Sequence, residues 1–359
     1  MTNGVRKMGR GFSLTLIVIL SCCAGANPGT ARASVPSSPP PGSPVYLEAD
    51  ATFYCDNLEY ENPFSVGRTY LGAYTSLALA YVRPAFDLSL GALVQRDFGD
   101  EEEVSRALPL FRFRYRTPWF QLLLGRLHSA GNHSLPEPIL ARQYPYQYPV
   151  EEGLQFLAHQ DNLKADLWIN WYLLNTPEHR EFFAAGFHSQ AEWSFVSADL
   201  GLRVSHHGGQ LHEEGPVSDN FSGMFRLLLS FRWPALDADF GASGTLLGSR
   251  DQPDRKHSGQ QTRGYGAEGE CFFSPGGWKL YYRCFSGEDF FVEQGDPLYR
   301  TEKPLHRFGL LKTFQLDNAV RARLQGEGVV IESVLEYNYA LVVDVSLDLL
   351  LHRFPEAAD

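Results

Sequence analysis

Residues 111–116 read Phe-Arg-Phe-Arg-Tyr-Arg, so every second side chain is aromatic and every other one is arginine. Successive side chains of a β-strand point to opposite faces of the sheet. The alternation therefore predicts a strand with one apolar and one charged face. No stretch after Pro44 has a convincing helical period. The body of the chain is predicted to be all-β.

The same alternation recurs along the chain in runs of about ten residues or more, at 163–172, 196–205, 236–243 and 343–349 among others. Strands of soluble sheets average about five or six residues. A tilted strand that crosses a bilayer needs about nine to eleven. The length of the runs therefore favours membrane-spanning strands.

The predicted connections alternate in length. Seven short turns interleave with eight longer loops and link about sixteen strands. Short turns on one side and long loops on the other are typical of bacterial outer-membrane barrels. The longer connections are predicted at 58–69, 98–106, 128–152, 175–181, 207–222, 249–262, 287–303 and 332–337.

Four of the six tryptophans, Trp119, Trp193, Trp233 and Trp278, stand beside predicted short turns. Amphipathic rings prefer the membrane–water interface. These four residues are predicted to form an aromatic girdle at one interface.

With these features the chain resembles a bacterial outer-membrane β-barrel of the porin kind over residues 45–354. The resemblance rests on architecture and on the strand that ends at Phe354, not on a signature motif. It implies a transmembrane antiparallel up-and-down β-barrel of about 16 strands, with short periplasmic turns and longer extracellular loops. The outer membrane of a Gram-negative-type bacterium is the implied location. Residues 355–359 would form a C-terminal tail.

The N-terminus has the pattern of an export signal. Arg6, Lys7 and Arg10 precede a short apolar run, and small residues follow it, so residues 1–33 are predicted to be a signal peptide. A membrane anchor and lipidation at Cys22 or Cys23 remain alternatives. Residues 34–44 are rich in proline and serine and are predicted to be a linker.

Composition excludes several classes of protein. The net charge of −11 argues against a nucleic-acid partner. A single apolar segment, at the start, excludes a polytopic helical membrane protein. The mean hydropathy of −0.24 does not separate a soluble domain from a barrel.

If the apolar residues face lipid, the alternate set lines the interior. Dry burial of so many charges would be prohibitive, so a hydrated lumen is predicted. Its clustered charges would either screen solutes or neutralise one another as wall pairs. The predicted pore-lining residues are Arg112, Arg114, Arg116, Lys164, Asp166, Asp237, Asp239, Glu268, Glu270, Arg321, Arg323, Asp344 and Asp348.

The longest predicted loop is the third, at 128–152. In sixteen-stranded porins this loop commonly folds into the barrel, so the resemblance implies a constriction; an exposed lid is the alternative. The candidate constriction residues are Glu137, Arg142, Tyr146, Glu151 and Glu152.

Catalytic motifs are absent from the sequence: it contains no G-x-S-x-G, no H-E-x-x-H and no phosphate loop. Ser205 and His207 share a strand face, with His206 and His212 close by, as a hydrolase or a metal site would need. A solvated loop is the alternative for this cluster. The prediction is that the chain is not an enzyme and has no cofactor and no metal.

The predicted function is passive diffusion of small hydrophilic solutes through an outer-membrane channel. The expected partners are outer-membrane lipid, the barrel assembly machinery and the solutes, and homotrimer formation is left open. The alternatives are the barrel component of an export or assembly system, or a plugged structural barrel. A soluble β-sandwich is a third alternative.

Overall fold

The computed structural model describes residues 43–129, 132–212 and 214–354. The predicted signal peptide, most of the linker, both candidate lipidation cysteines and the C-terminal tail lie outside the described residues. Residues 43 and 44 of the predicted linker already belong to the first strand.

Sixteen antiparallel strands form one closed barrel, in which each strand pairs with its neighbours along the chain and the last pairs with the first. Closure removes the free edges of the sheet. The predicted fold class is confirmed. The strands are β1 (Ser43–Glu61), β2 (Val66–Val82), β3 (Phe86–Asp97), β4 (Arg106–Arg116), β5 (Phe120–Arg126), β6 (Glu152–Gln160), β7 (Leu163–Leu173), β8 (Phe182–Trp193), β9 (Val196–His207), β10 (Ser218–Trp233), β11 (Ala238–Gln252), β12 (Thr262–Pro275), β13 (Trp278–Glu288), β14 (Leu305–Asp317), β15 (Val320–Ile331) and β16 (Val334–Phe354).

The two faces of the barrel wall differ as the alternation predicts. On β10, Phe225, Leu227 and Leu229 are exposed on the outer surface, whereas Ser222 and Met224 are buried on the lumen side. Equivalent outward residues on the other strands extend this surface around the barrel, and together they form the outer apolar band.

The connections mostly alternate in length, but several of the longer ones are shorter than predicted, most of all the first and the last. The loop between β1 and β2 is 62–65, and β15 and β16 are joined by the two residues 332–333, because the strands extend further toward that end. The longest connections are the third loop, L3 (127–151), and the seventh, L7 (289–304). They share the extracellular end of the barrel.

Helical segments are short and lie in connections. Within the described parts of the chain, the one α-helix is α1 (Tyr144–Gln147) of L3, and a 3-10 turn at Pro297–Arg300 belongs to L7. Among the residues that the structure describes, no helix has the length and apolar character needed to span a membrane.

Candidate functional site

The predicted basic ladder faces the lumen and converges on one carboxylate. Arg112, Arg114 and Arg116 lie 3.5, 2.6 and 3.3 Å from Asp87, which is fully buried. Arg112 also lies 2.7 Å from Glu48. The ladder is therefore largely neutralised by acidic residues of neighbouring strands.

Charge pairing continues around the wall. Arg321 and Arg323 share Asp344 at 3.3 and 3.4 Å, and Glu270 lies 2.6 Å from Arg283. The remaining predicted lining residues on strands also occupy lumen-facing register positions: Lys164, Asp166, Asp239, Glu268 and Asp348.

Asp237 is a correction to the predicted lining. It is exposed in the turn between β10 and β11 and pairs with Arg232 at the rim. Pro234 starts a 3-10 turn that ends at Leu236, and Asp237 closes it with a φ of 45°. The alternating pattern that was assigned to a strand thus starts inside a turn, because proline fixes the backbone there.

L3 crosses the interior of the barrel. Glu137 lies 2.7 Å from Arg307 and 3.0 Å from Arg283, on strands half-way around the ring of sixteen from β5 and β6. Arg142 lies 3.1 Å from Asp56 on β1. Burial alone would raise the pKa of the Glu137 carboxyl, but Arg307 and Arg283 outweigh it and hold that pKa far below its usual range.

Two further predicted constriction residues also pack inside the barrel. Tyr146 stacks on Tyr54 with ring centroids 4.4 Å apart. The Glu151 carboxylate lies 2.8 Å from His133 Nε2 and accepts a hydrogen bond from the Tyr144 hydroxyl at 2.7 Å.

Glu152 is a second correction. It is the first residue of β6, where it is exposed and faces outward. Strand side chains alternate between the two faces. Gln155 points into the barrel, so Glu152, three residues before it, points outward. Glu152 therefore does not contribute to a constriction.

L7 also folds into the barrel, which the sequence analysis did not predict. Asp296 lies 3.0 Å from Arg307, and Gln294 accepts a hydrogen bond from Arg203 on β9. L7 meets L3 through backbone hydrogen bonds from Ala141 to Gln294 and from Asp296 to Glu137, each of 2.9 Å. The described parts of L3 and L7 together form what we call the plug.

The plug has its own apolar core, in which its side chains pack against the barrel wall. Ile139, Leu140 and Leu298 are almost completely buried there, with Phe285 and Val329 of the wall. The prediction of a hydrated lumen is therefore wrong for the extracellular half. The apolar residues of these two loops could have indicated their burial, because loop segments that pack inside a barrel need apolar contacts.

The four predicted girdle tryptophans lie at the short-turn end of the barrel. Trp119, Trp193, Trp233 and Trp278 are all exposed. Trp278 lies under the Lys312 ammonium, 4.9 Å from its ring centroid. Their role at a membrane interface remains a prediction.

The Ser-His-His segment at the end of β9 divides between the two faces of the wall. Ser205 and His207 point into the lumen and share Glu293 of L7, at 2.7 and 2.5 Å. They do not bond to each other, so they do not form a nucleophile and base. His206 points outward instead.

The outward His206 forms a dyad with Asp219 of β10. Its Nδ1 lies 2.7 Å from Asp219 Oδ1. Arg255, in the sixth loop L6 (253–261), donates to both carboxylate oxygens of Asp219. We call His206 and Asp219 the outer dyad. Asp219 is 6% exposed and His206 is 12% exposed, so the pair is held in place but remains accessible.

The hydrogen bonds of His206 involve its Nδ1 atom and leave Nε2 without a partner among the described residues. Nε2 lies against Gly208, where a β-carbon would come within 2.3 Å of it. Glycine at this position makes room for the imidazole.

The outer dyad stands at the border of the outer apolar band. Asp219 is the second residue of β10, and the next outward residues down that strand are Phe221, Gly223 and Phe225. On β8, the outward Phe183 packs against His206 with centroids 4.8 Å apart. Asp219, a polar residue among outward-facing apolar residues of β10, was the sequence feature that could have indicated this site.

Other histidine–carboxylate pairs differ in position. His133 and His188 lie inside the barrel, where a bilayer lipid does not reach them. His257 and Asp254 lie 2.6 Å apart in L6, but His257 is 66% exposed in a loop. Within the described ranges, no group of three or more His, Cys, Asp or Glu side chains is arranged to hold a metal ion.

Solved structures support the fold. OmpT of Vibrio cholerae with loop L8 deleted, an outer-membrane protein, has a TM-score of 0.54 and 9% identity over 85% of this chain and 100% of that chain. In vitro folded OmpT in its trimer form has a TM-score of 0.51 and 8% identity over 85% and 100% of the two chains. No curated protein sequence matches the chain significantly.

The closed sixteen-strand architecture thus defines an outer-membrane β-barrel. A family model described as lipid A 3'-O-deacylase-type matches residues 39–354. The chain belongs to this family. The prediction that the chain is not an enzyme is therefore wrong, because the family that covers the whole barrel is named for an enzyme.

Proposed function

We propose that the protein is an outer-membrane ester hydrolase that removes an acyl chain from lipid A, with the outer dyad as its catalytic centre. The observation that carries the proposal is the 2.7 Å contact between His206 Nδ1 and Asp219 Oδ1 on the outside of the barrel. The family name supports the substrate class. The acyl esters of a membrane glycolipid lie where the apolar band gives way to polar residues, which is the level of the outer dyad.

The catalytic step that we propose is general-base hydrolysis. In this step Asp219 accepts the Nδ1–H of His206 and selects the tautomer in which Nε2 is the proton acceptor. Nε2 then takes a proton from a water molecule as the water oxygen attacks the ester carbonyl carbon. When the carbon–oxygen bond to the leaving alcohol breaks, the imidazolium returns the proton to that oxygen. The products are a fatty acid and an alcohol.

Water is the proposed nucleophile because the neighbouring serines point to the opposite face of the wall from His206. Ser205 and Ser218 flank the outer dyad along the chain, and both occupy lumen-facing positions. The wall therefore separates their hydroxyls from His206 Nε2. Arg255 donates to both carboxylate oxygens of Asp219 and so fixes the orientation of the carboxylate.

The experiment measures fatty-acid release from lipid A in mixed micelles by the purified, folded barrel. We expect His206→Gln to lower the rate by at least about 100-fold, the usual range for loss of a general base. His257→Gln is the matched control, because it removes an exposed histidine beside a carboxylate in L6, and it should retain the wild-type rate. No release by the wild type, or equal rates for wild type and His206→Gln, would refute the proposal.

A diffusion channel is the second candidate function. The observation that favours it is the partial exposure of Arg321 and Arg323, 41% and 44%, on the lumen side nearer the short turns. Conductance in planar bilayers tests it. We expect a low conductance for the wild type, and a larger one after deletion of residues 134–148, which form much of the plug. An unchanged current after the deletion would contradict a channel gated by L3.

The same proposal includes the location, the export and the assembly of the protein. Outer-membrane lipid is the proposed partner of the outer apolar band, and residues 1–33 are the proposed export signal. Assembly as a homotrimer, by analogy with the trimer form of in vitro folded OmpT, belongs to the same proposal, and chemical cross-linking in membranes tests it.

A further inference from the structure

Two arginines stand directly opposite each other on the outer surface near the outer dyad. Arg250 on β11 and Arg263 on β12 are register partners, and both side chains are exposed. Arg250 lies over the outward ring of Phe221, 5.8 Å from its centroid. We call these two residues the arginine pair.

Like charges directly opposite each other on neighbouring strands are destabilising. Among the described residues, no carboxylate lies within ion-pair distance of either guanidinium. The nearest acids on these and the neighbouring strands are engaged elsewhere, Asp219 of β10 by Arg255. Asp251 accepts from Asn220 on the lumen side, and Glu288 accepts from the Tyr265 hydroxyl. The two exposed guanidinium groups of the arginine pair are thus free to bind an external anion.

An apolar furrow lies further along the same outer surface, beyond Gly248 and Tyr265, with Leu246 and Ala267 each four residues from the arginine pair. The side chains of Phe225, Leu227 and Leu246 form its walls, together with Gly244 and Ala267. A β-carbon at Gly244 would meet no atom within 4 Å. The small residues of β11 and β12 therefore leave room for an extended hydrocarbon chain against the wall.

We propose that the arginine pair and the furrow form a binding site for an acylated membrane amphiphile that carries a phosphate monoester. The arginine pair binds the phosphate, because guanidinium groups match its oxygens bidentately, and the furrow holds one acyl chain. The site lies beside the outer dyad: Asp219 pairs with Gln252, two residues from Arg250. Such diagonal neighbours are about 7–8 Å apart. The inference rests on the proposed function for the fate of the bound lipid, but binding is measured without hydrolysis.

The test uses a diether glycerol lipid with a phosphate monoester, which an esterase does not cleave, in nanodiscs with the folded barrel. The matched control lipid carries phosphocholine. The double variant Arg250→Gln and Arg263→Gln should bind the phosphate lipid at least tenfold more weakly than the wild type. The double variant Lys303→Gln and Lys312→Gln removes the same charge at sites away from the pair and should bind like the wild type.

A second variant tests the furrow. Gly244→Leu fills it from a position with free space, so it should fold normally and weaken binding of the long-chain phosphate lipid several-fold. Full binding by the arginine double variant, or equal weakening by the lysine control, would overturn the proposal. Inorganic phosphate that competes at concentrations equal to those of the lipid would also overturn it, because the site would then recognise phosphate alone. If the wild type binds the phosphate lipid but does not hydrolyse the esters of lipid A, the proposed function is contradicted and the binding site is not.

Discussion

His206 and Asp219 occupy register partner positions on β9 and β10, and their side chains meet at 2.7 Å on the outside of the barrel. The adjacent His207 turns into the lumen and meets Glu293 of the plug. Successive residues of β9 thus point to opposite faces of the wall. His207 contacts the plug inside the barrel, and His206 lies on the outer surface.

The Asp219 carboxylate should be essential for catalysis. Asp219→Asn keeps the shape but favours the other tautomer of His206, because an amide can donate to Nδ1. We expect a fall in kcat of about 100-fold or more, with little change in KM, measured as fatty-acid release from lipid A. A variant with normal kcat would show that the outer dyad does not act as a unit.

Gly208 is predicted to be a positioning residue for the outer dyad. In Gly208→Ala, the new β-carbon would lie 2.3 Å from His206 Nε2, so the imidazole ring must shift from the position in which it meets Asp219. We expect an activity loss of about tenfold, since a small misplacement of a catalytic group is costly. Gly326→Ala is the control, because a β-carbon there meets no atom within 4 Å. Equal activities of the two variants would remove Gly208 from this role.

Arg307 should be the main electrostatic support of the plug. It is 2% exposed and lies between Glu137, Asp296 and Glu327, at 2.7, 3.0 and 2.7 Å. Arg307→Ala would leave buried acids without a counter-charge, which costs about 3–5 kcal/mol. Urea unfolding measures the loss.

The control for Arg307 is an exposed ion pair. Lys164 and Glu192 lie 3.1 Å apart and are about half exposed. Lys164→Ala should change the free energy of unfolding by less than about 1 kcal/mol. A similar small loss for Arg307→Ala would mean that water reaches the plug network freely.

His133 should make the docking of L3 dependent on pH. Burial lowers the pKa of His133, but its hydrogen bonds to Asp166 and Glu151 outweigh burial and raise the pKa to about 9. Since the folded-state pKa lies above the ordinary 6.5, the stabilisation is complete below that pH and is lost as pH rises through about 9. The difference corresponds to about 3 kcal/mol.

Hydrogen–deuterium exchange of residues 132–151 measures this effect. Exchange, corrected for the intrinsic rate at each pH, should accelerate between pH 7 and pH 10 in the wild type. His133→Gln carries no titrating group and should show no such step. A flat profile in the wild type would contradict the role of His133.

The fold was largely predictable from the sequence because strand alternation and turn residues are local features. The pattern at 111–116 lies on β4 as expected, and the strand number is confirmed. Boundaries were less accurate: Asp237 falls in a turn and Glu152 on an outward position of a strand, since a local pattern does not fix where a strand starts.

The candidate site was harder to predict because it depends on contacts between distant segments. Glu137 and Arg307 are 170 positions apart in the chain, and nothing local connects them. His206 was noted in the sequence but Asp219 was not, because the outer dyad forms only through the β9–β10 register. Polar residues in the outward phase of otherwise apolar strands were its one local sign.

The most direct test of the central claim is hydrolysis of lipid A in ¹⁸O-labelled water, with mass analysis of the released fatty acid. Our account predicts that the wild-type barrel releases fatty acid carrying one ¹⁸O atom, because water attacks the acyl carbon, and that His206→Gln releases almost none. Release without ¹⁸O, or equal release by His206→Gln, would contradict hydrolysis by the outer dyad.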